Sequence, residues 1–495
     1  MEHFFSGFAI VLQLKYILFM FGGVFMGTVL GFLPGLNAAM GIALMLPLTY
    51  TMPPLDALVF LASIYTGGLF GGAVTAILIN TPGSNANIAT TLDGYPMHQK
   101  GESERALGLA LCSSVIGGLV GMTCLILIAG PMAEAALKFG PAEMFMVAFF
   151  GLTVVGSLSD DVIKSLFSGL VGLLLGTVGI NDMGIERGTM GSIYLMEGLP
   201  LIPALIGFLA LPAIYDLVAK GDAGQMTAQR VSLKKLWSGC CEVFKHPVQA
   251  LLCSLAGVVI GIMPAAGASI AGLFCYNQSK QFSKRPQDFG SGIAEGIVAC
   301  ETANNASEGG ALATMFVLGI PGSNATAMML GAVVLMGWTP GPRMFSQYGD
   351  IIYTVFSSLF IQQFVMLFFG ILLCLLATKL SRISVKYLAP TIIMLTVVGA
   401  FSSGYNLFDP SLMIGCSVLG WLMKRHNYPV MPLVLGILLG DIADAELMRI
   451  FQSFDHFYEI FTRPIVLTLL SISILSVTLP QYLRWKRKRA SKSAV

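Results

Sequence analysis

The sequence predicts an all-α polytopic membrane protein made of two homologous, inverted repeats with discontinuous or re-entrant helices. Three observations support this fold class. First, 55% of the 495 residues are hydrophobic and only 11% are charged, whereas soluble domains carry about 25% charged residues. Second, a Pro-Gly-Ser-Asn motif interrupts apolar sequence twice, at Pro82 and at Pro321. Third, short sequence segments recur in the same order in both halves of the chain.

Composition also excludes several function classes. So few charges could not cover the surface of a soluble protein of this length, which leaves a chain embedded in a lipid bilayer. The net charge of +2 comes with no basic face or aromatic platform, so no nucleic-acid partner is expected. The nine cysteines are scattered through apolar segments and are interpreted as small buried hydrophobic residues.

The two Pro-Gly-Ser-Asn motifs are predicted to break helices. Pro lacks a backbone N–H and disfavours helix for the residue before it, while Gly adopts almost any backbone angle. Ser-Asn then supplies N-cap chemistry for a new helix. A helix that starts in this way points free N–H groups and its positive dipole end into the gap, which suits an anion. In a membrane, paired breaks in two halves of a chain indicate the binding site of a transporter.

The elements follow in order. Residues 1–15 are predicted to form a short surface helix, and a first span at about 16–31 ends at another Pro-Gly pair, Pro34-Gly35. About 10–12 transmembrane segments are expected in all, plus an extra C-terminal helix. Four predicted regions result: repeat 1 (16–220), a polar cytoplasmic linker (221–247), repeat 2 (248–450), and a C-terminal helix with a basic tail (464–495).

The duplication rests on four anchors at nearly constant spacing, which are hard to obtain together by chance. The anchors are Gly31 to Asn37 with Gly261 to Gly267, the two Pro-Gly-Ser-Asn-Ala copies, Thr153 to Gly156 with Thr396 to Gly399, and Pro200 to Pro203 with Pro429 to Pro432.

The distribution of basic residues predicts how the chain is oriented in the membrane. The tail after the last span is basic from Arg484 to Lys492 and contains no acidic residue, which places it in the cytoplasm together with the basic linker. With one extra span after repeat 2, each repeat crosses the membrane an odd number of times. The repeats are therefore expected to be inverted, with the N-terminus outside.

Enzyme motifs are absent, including nucleophile elbows, zinc-protease motifs and nucleotide-binding loops. Energy must then come from an ion gradient or a partner. Asp160-Asp161 could suggest a metal-binding pair, but an interfacial loop is the preferred interpretation because the pair stands alone between apolar segments.

The richest polar cluster lies between Glu295 and the second break. Amides such as Asn304 and Asn305 beside a helix break can bind a carboxylate through hydrogen bonds, without the burial of fixed cations. Two alternatives stay open. Glu295 and Glu301 could lie in a loop at the membrane face and cap helices, and the two asparagines could be amides that only pack helices together.

A set of motifs resembles the large permease subunit of the tripartite tricarboxylate transporters, the TctA family. The resemblance runs from about residue 20 to residue 450. The motifs are Gly31-x-x-Pro34-Gly35, Leu46-Pro47-Leu48-Thr49, Asp93-Gly94-Tyr95-Pro96, Phe289-Gly290-x-Gly292, Glu301-x-Ala303-Asn304-Asn305-Ala306, Gly319-Ile320-Pro321-Gly322-Ser323 and Gly337-x-x-Pro340-Gly341-Pro342.

The resemblance implies a permease of the bacterial inner membrane. Such a permease works with a small membrane subunit and a periplasmic solute-binding protein, and takes up citrate-like di- and tricarboxylates on a cation gradient. Two departures from the family pattern, Asn37 and Ala265-Ala266, could alter the accepted substrate or ion.

The main hypothesis is a cation-coupled carboxylate importer without cofactors, with sodium or a proton as the coupling ion. The predicted substrate-binding residues are Asn80, Thr81, Gly83, Ser84, Asn85, Asn304, Asn305, Gly322, Ser323, Asn324 and Thr326. The predicted cation-binding positions, mainly through backbone carbonyls, are Pro34, Asn37, Pro82, Pro264, Gly267 and Pro321. A passive anion channel and an intramembrane enzyme acting on a lipid-linked substrate stay open as alternatives.

Overall fold

The computed structural model describes residues 2–33, 36–49, 51–158, 161–181, 183–220, 232–264, 267–380, 385–475 and 478. Most of these residues are helical. A small antiparallel pair, β1 (Gly179–Ile180) and β2 (Glu186–Arg187), supplies the described strands.

In the first half, the described residues form ten helices, and α9 continues through a π-helical turn into α10. They are α1 (Glu2–Val11), α2 (Leu14–Phe32), α3 (Ala38–Thr49), α4 (Pro54–Ile79), α5 (Ile88–Gln99), α6 (Ser103–Ala136), α7 (Pro141–Leu158), α8 (Val162–Gly176), α9 (Leu201–Leu205) and α10 (Leu211–Lys220).

In the second half, the described residues form ten further helices. Its helices are α11 (Leu233–Glu242), α12 (Pro247–Ile262), α13 (Gly267–Phe282), α14 (Ala294–Leu318), α15 (Asn324–Leu335), α16 (Pro342–Leu380), α17 (Val385–Gly404), α18 (Phe408–Arg425) and α19 (Val430–Ser453), followed by α20 (Pro464–Leu475).

Four described helices are long and apolar enough to cross a membrane: α2, α4, α6 and Gln347–Ala377 within α16. The pair Leu233–Lys245 and Pro247–Ile262, bent by 81°, gives a fifth span if it counts as one. Seven further apolar helices have 10–17 residues. This architecture confirms the predicted all-α polytopic membrane class, and the expected total of spans stays a prediction.

Helix packing links the two halves reciprocally. Within each half, α2 packs on α4 and α12 packs on α14; between the halves, α6 packs on α14 and α16 packs on α4. Close glycine contacts make this possible: a Cβ on Gly27 would lie 2.2 Å from the carbonyl oxygen of Ile64, and one on Gly257 would lie 2.4 Å from that of Ala303. Helices with such contacts approach backbone to backbone, as small residues allow in membranes.

The short helices α1 and α11 both pack on long helices of the other half. Ser357 Oγ on α16 donates a hydrogen bond to the carbonyl oxygen of Phe4 at 2.8 Å, and Val11 is fully buried. The predicted short helix is therefore present as α1: one side is covered by α16, while Phe5, Ser6 and Ala9 are exposed. Within the predicted linker, α11 packs on α6, and Arg105 holds Glu242 through two hydrogen bonds of 2.7 Å.

Candidate functional site

The first helix break follows α4. The helix ends at Ile79, and Asn80 takes a left-handed backbone conformation with φ of 52°. Ser84 then precedes a short 3₁₀ turn, Asn85–Asn87, and its hydroxyl donates to Asn87 Oδ1 at 2.8 Å. Ser84 and Thr81 are half-buried, while Asn85 is exposed. The hydroxyl and amide groups predicted to bind an anion are thus partly accessible here.

The second break ends its helix in the same way but differs in capping: Ser84 makes no capping hydrogen bond to a backbone N–H, contrary to the prediction, whereas Ser323 does. The helix α14 ends at Leu318, and Gly319 is left-handed with φ of 73°. Ser323 caps α15: the Thr326 backbone N–H donates to Ser323 Oγ at 3.2 Å, and the Ser323 backbone N–H donates to Thr326 Oγ1 at 2.8 Å. Asn324, like its counterpart in the first break, is exposed.

The glycine of each motif seats its break against the preceding helices. A Cβ on Gly83 would lie 2.5 Å from both the Gly31 carbonyl oxygen and the Gly72 Cα. A Cβ on Gly322 would lie 2.6 Å from the Gly261 carbonyl oxygen and 2.7 Å from the Ala311 Cα. No side chain fits at either position. Each break therefore folds back along the helix that it ends.

Both breaks contact the same two helices. On α4, the Tyr65 hydroxyl lies 3.0 Å from Ser323 Oγ, and the Leu69 carbonyl oxygen accepts from Asn87 Nδ2 at 3.3 Å. Four helical residues span only about 6 Å. The two copies of the motif thus lie beside one short stretch of α4.

Both breaks also lie close to helix α13. A Cβ on Gly267 would lie 2.7 Å from the Gly322 carbonyl oxygen, and one on Gly272 would lie 3.2 Å from the Ala86 carbonyl oxygen. Five helical residues span about 7.5 Å. The structure therefore brings the predicted residues of both breaks together.

The polar cluster of α14 lies between the two breaks. Glu301, Asn304, Asn305 and Glu308 are completely buried in the helix. Glu301 contacts α5, which follows the first break, and Ala311 further along α14 contacts Gly322. The alternative that placed Glu301 in a loop at the membrane face is therefore wrong. Glu295 does lie at the start of α14, where Ser283 Oγ donates to its carboxylate at 2.8 Å.

The described positions among the predicted cation ligands lie at or beside helix ends, and Pro34 lies outside the described residues. Asn37 caps α3 by accepting from the Met40 backbone N–H at 3.0 Å. Pro264 is buried just after α12, whose last carbonyl oxygen, at Ile262, accepts from Thr314 Oγ1 at 3.1 Å. Pro82 is half-buried and Pro321 is buried. A cation-binding role for these residues stays a prediction.

Asp161 has a structural role. Its carboxylate caps α8 by accepting from the backbone N–H groups of Ile163 and Lys164 at 3.1 and 3.2 Å. Capping fits the loop interpretation of this acidic pair; its neighbour Asp160 lies outside the described residues.

Comparison with known proteins shows which protein family the chain belongs to. The chain matches the tripartite tricarboxylate transporter TctA family over residues 17–435. The chain belongs to this family of transporters. It is 33% identical over 477 residues to an uncharacterized 52.8 kDa protein in the TAR-I ttuC' 3'region of Agrobacterium vitis, which covers 96% of this chain and 94% of the relative. A shorter uncharacterized protein of the TAR-II ttuC' 3'region in the same organism is 30% identical over 224 residues, 45% of this chain and 93% of the relative. No solved structure matches the chain.

Two of the motifs that carry the TctA resemblance meet in the structure. Asp93 Oδ1 accepts hydrogen bonds from the backbone N–H groups of Gly290, Gly292 and Ile293 at 2.7–3.0 Å. Asp93 Oδ2 accepts from the Tyr276 hydroxyl at 2.8 Å. One carboxylate of the first half thus fixes the loop that leads into α14.

Several residues beside the breaks were missed by sequence reasoning: Tyr65, Thr66, Asn87 and Gln362. Asn87 could have been found, since it lies two residues after the first motif. Tyr65, Thr66 and Gln362 lie in apolar segments far from the motifs in sequence, and only the folded chain shows that they lie near the breaks.

Proposed function

We propose that this TctA-family chain is the large permease subunit of a binding-protein-dependent secondary transporter that imports citrate-like di- and tricarboxylates. Each carboxylate would be held between Ser84 and Asn85 of the first break and Ser323 and Asn324 of the second. The remaining predicted substrate residues would line the same space. No catalytic step is part of this proposal.

The main support for this proposal is that both helix breaks contact α4. Two matching Pro-Gly-Ser-Asn breaks lie beside the same short stretch of α4, one through the Ser323 hydroxyl and the other through the amide of Asn87, and each break also exposes an asparagine. Helix N-termini and amides stabilise anions without the cost of burying arginine or lysine. Carboxylates with two or three charges present separate groups that two facing breaks can bind at the same time.

The proposal extends to partners and location. A small membrane subunit and a periplasmic solute-binding protein would complete the transporter, and sodium or protons would drive it. The chain would lie in the bacterial inner membrane with its C-terminus in the cytoplasm, since its last residues are strongly basic.

The test replaces Asn85 or Asn324 by Leu. Uptake of radiolabelled citrate, malate and succinate is measured in proteoliposomes that contain the complete complex, with binding protein and an imposed ion gradient. Loss of one amide should lower uptake at least about tenfold, since an unpaired polar group on a buried anion costs about one to several kcal/mol.

Asn277→Leu is the matched control, because Asn277 is an exposed asparagine on α13 that lies beyond the contacts with the breaks. Wild-type uptake in both break variants, with all three carboxylates, would remove these residues from the site. Equal flux with and without the ion gradient would instead favour the passive anion channel.

A further inference from the structure

Helix α14 carries a polar stripe that crosses the protein interior. Its members, Glu301, Asn304, Asn305 and Glu308, follow the spacing of one helix face, and all four are 0% exposed. Ionisable residues at such depth in a membrane protein are costly and indicate a function. The equivalent helix of the first half, α4, carries Asp56 near its start and no acidic residue in its middle.

The two carboxylates differ in how well they are hydrogen-bonded. Glu301 accepts from Thr90 on α5, from Ser114 Oγ on α6 at 3.0 Å and from Asn305 Nδ2 at 3.4 Å. Both of its oxygens therefore have donors.

Glu308 is incompletely paired. Its Oε1 accepts from Thr66 Oγ1 at 2.7 Å, but no described residue donates to its Oε2, which is fully buried. No described lysine or arginine forms an ion pair with it. A buried carboxylate oxygen without a donor is unstable unless a proton or a metal cation occupies it.

A second acceptor lies next to this carboxylate. Gln362 Oε1 on α16 lies 3.2 Å from Thr66 Oγ1. The Thr66 hydroxyl has one proton, so it cannot donate to both Glu308 and Gln362 at once. The orientation of the Gln362 amide is set by its Nε2, which donates to Ser358 Oγ at 3.0 Å. Carboxylate, hydroxyl and amide oxygens therefore converge, and oxygen atoms are the ligands that hard cations prefer.

We propose that Glu308, Thr66 and Gln362 form the site of the coupling cation, a proton or Na⁺. This inference rests on the proposed function of a cation-coupled importer and assigns its coupling site. With a proton, the carboxylic acid of Glu308 is neutral: its protonated Oε1 donates to Thr66, Thr66 turns its own hydrogen to Gln362, and the buried Oε2 carries no charge. With Na⁺, the oxygens of the three side chains surround the ion.

The geometry connects this site to the second break. Thr66 is adjacent to Tyr65, whose hydroxyl lies 3.0 Å from Ser323 Oγ. A cation that changes the hydrogen bond of Thr66 thus acts on the same turn of α4 that contacts the predicted carboxylate site. The three cation ligands come from both halves, α4 on one side and α14 and α16 on the other. Binding can therefore bias how the halves pack against each other.

Some of the charged groups on the neighbouring helices are paired elsewhere. The helices α12 and α15 contain no Asp, Glu, Lys, Arg or His. Tyr65 and Glu301 are the titratable neighbours on α4 and α14. Asp56 is paired with Lys15, Asp93 accepts from backbone N–H groups, and Arg105 is paired with Glu242. Further ionisable groups on the packed helices are His98, Glu104, Glu134, Tyr276, Lys280, Tyr348, Asp350 and Tyr353.

The test compares Glu308→Gln with Glu301→Gln in the complete complex. Binding of radiolabelled Na⁺ to the purified protein is measured first, because it does not depend on transport. Citrate uptake is then driven either by a Na⁺ gradient at equal pH or by a pH gradient without Na⁺, and citrate–citrate exchange is measured without any gradient.

Glu308→Gln should abolish uptake driven by the effective cation while exchange persists, and Glu301→Gln should keep its cation dependence. If Na⁺ is the ion, Na⁺ binding should weaken at least about tenfold. The proposal is overturned if Glu308→Gln keeps the wild-type dependence on Na⁺ and pH. Absence of carboxylate uptake and exchange in the wild type would count against the proposed function instead.

Two variants with smaller expected effects, Thr66→Val and Thr66→Ser, test the role of the Thr66 hydroxyl. Valine removes the hydroxyl at nearly constant shape, so the cation concentration for half-maximal uptake should rise about tenfold. Serine keeps the hydroxyl and should restore the wild-type value. Identical cation dependence in the two variants would contradict the assignment of Thr66 as a ligand.

Discussion

Asp93 shows how a single residue can position an element of the other half. Its carboxylate is fully buried and accepts four hydrogen bonds, three of them from the backbone before α14. Gly290 and Gly292 have φ of 92° and 98°, a region that side chains rarely adopt. The loop can therefore turn its N–H groups toward one acceptor, and Asp93 sets where α14 begins.

Replacing Asp93 by Ala should destabilise this entry to α14. The three backbone N–H groups would lose a charged acceptor in a partly buried loop, so the free energy of unfolding should fall by about 1–3 kcal/mol. The melting temperature of the detergent-purified protein measures this loss. Asp288→Ala is the control, since Asp288 makes only a 3.9 Å ion pair with Arg285 in the same loop. Equal melting temperatures in the two variants would contradict the role of Asp93.

At the scale of elements, the close helix pairs depend on glycine at matched positions. Gly27 and Gly31 of α2 lie against carbonyl oxygens of α4, and Gly257 and Gly261 of α12 lie against carbonyl oxygens of α14. These pairs hold the two helices that carry the breaks. A side chain at such a position must push a break-bearing helix out of place.

Gly27→Ala should therefore lower stability and uptake together. The new Cβ would meet the Ile64 carbonyl oxygen at 2.2 Å, and such overpacking costs about 1–3 kcal/mol. Gly22→Ala is the matched control on the same helix, because its Cβ would meet only the ring of Phe60 at 3.8 Å. Melting temperature and citrate uptake check both variants. A Gly27→Ala protein as stable as Gly22→Ala would show that α2 can shift freely on α4.

At the scale of the whole molecule, neither half completes its own break region. Ser323 of the second half contacts Tyr65 of the first, and Ala86 of the first half lies against Gly272 of the second. The long helices α6 and α16 each pack on the break-bearing helix of the other half. The candidate site is thus shared between the halves.

A chain split between residues 225 and 226 tests this. The split lies in the polar segment outside the described residues. When both fragments are expressed together they should purify as one complex and transport citrate, because the interface between the halves is extensive. Either fragment alone should give no uptake, and uptake by one fragment alone would contradict a shared site.

The local features of the breaks were predictable from sequence because their causes are local. Pro82 and Pro321 end helices through the missing N–H group, and Ser323 caps the next helix with its own side chain. The position of Glu301 could not be predicted from the sequence, since acidic residues occur both at membrane faces and in buried helices. Its burial depends on the hydroxyls of Thr90 and Ser114, which are 211 and 187 residues away in sequence.

The sequence by itself determined the membrane class, the two helix breaks and the likeness of the two halves, because composition, proline and glycine act through short-range chemistry. Only the tertiary structure decided that both breaks share one stretch of α4 and that Glu308 is left with an unpaired oxygen beside Thr66 and Gln362. Such contacts join side chains hundreds of residues apart. They depend on which helix faces meet, and that is fixed only when the whole chain is packed.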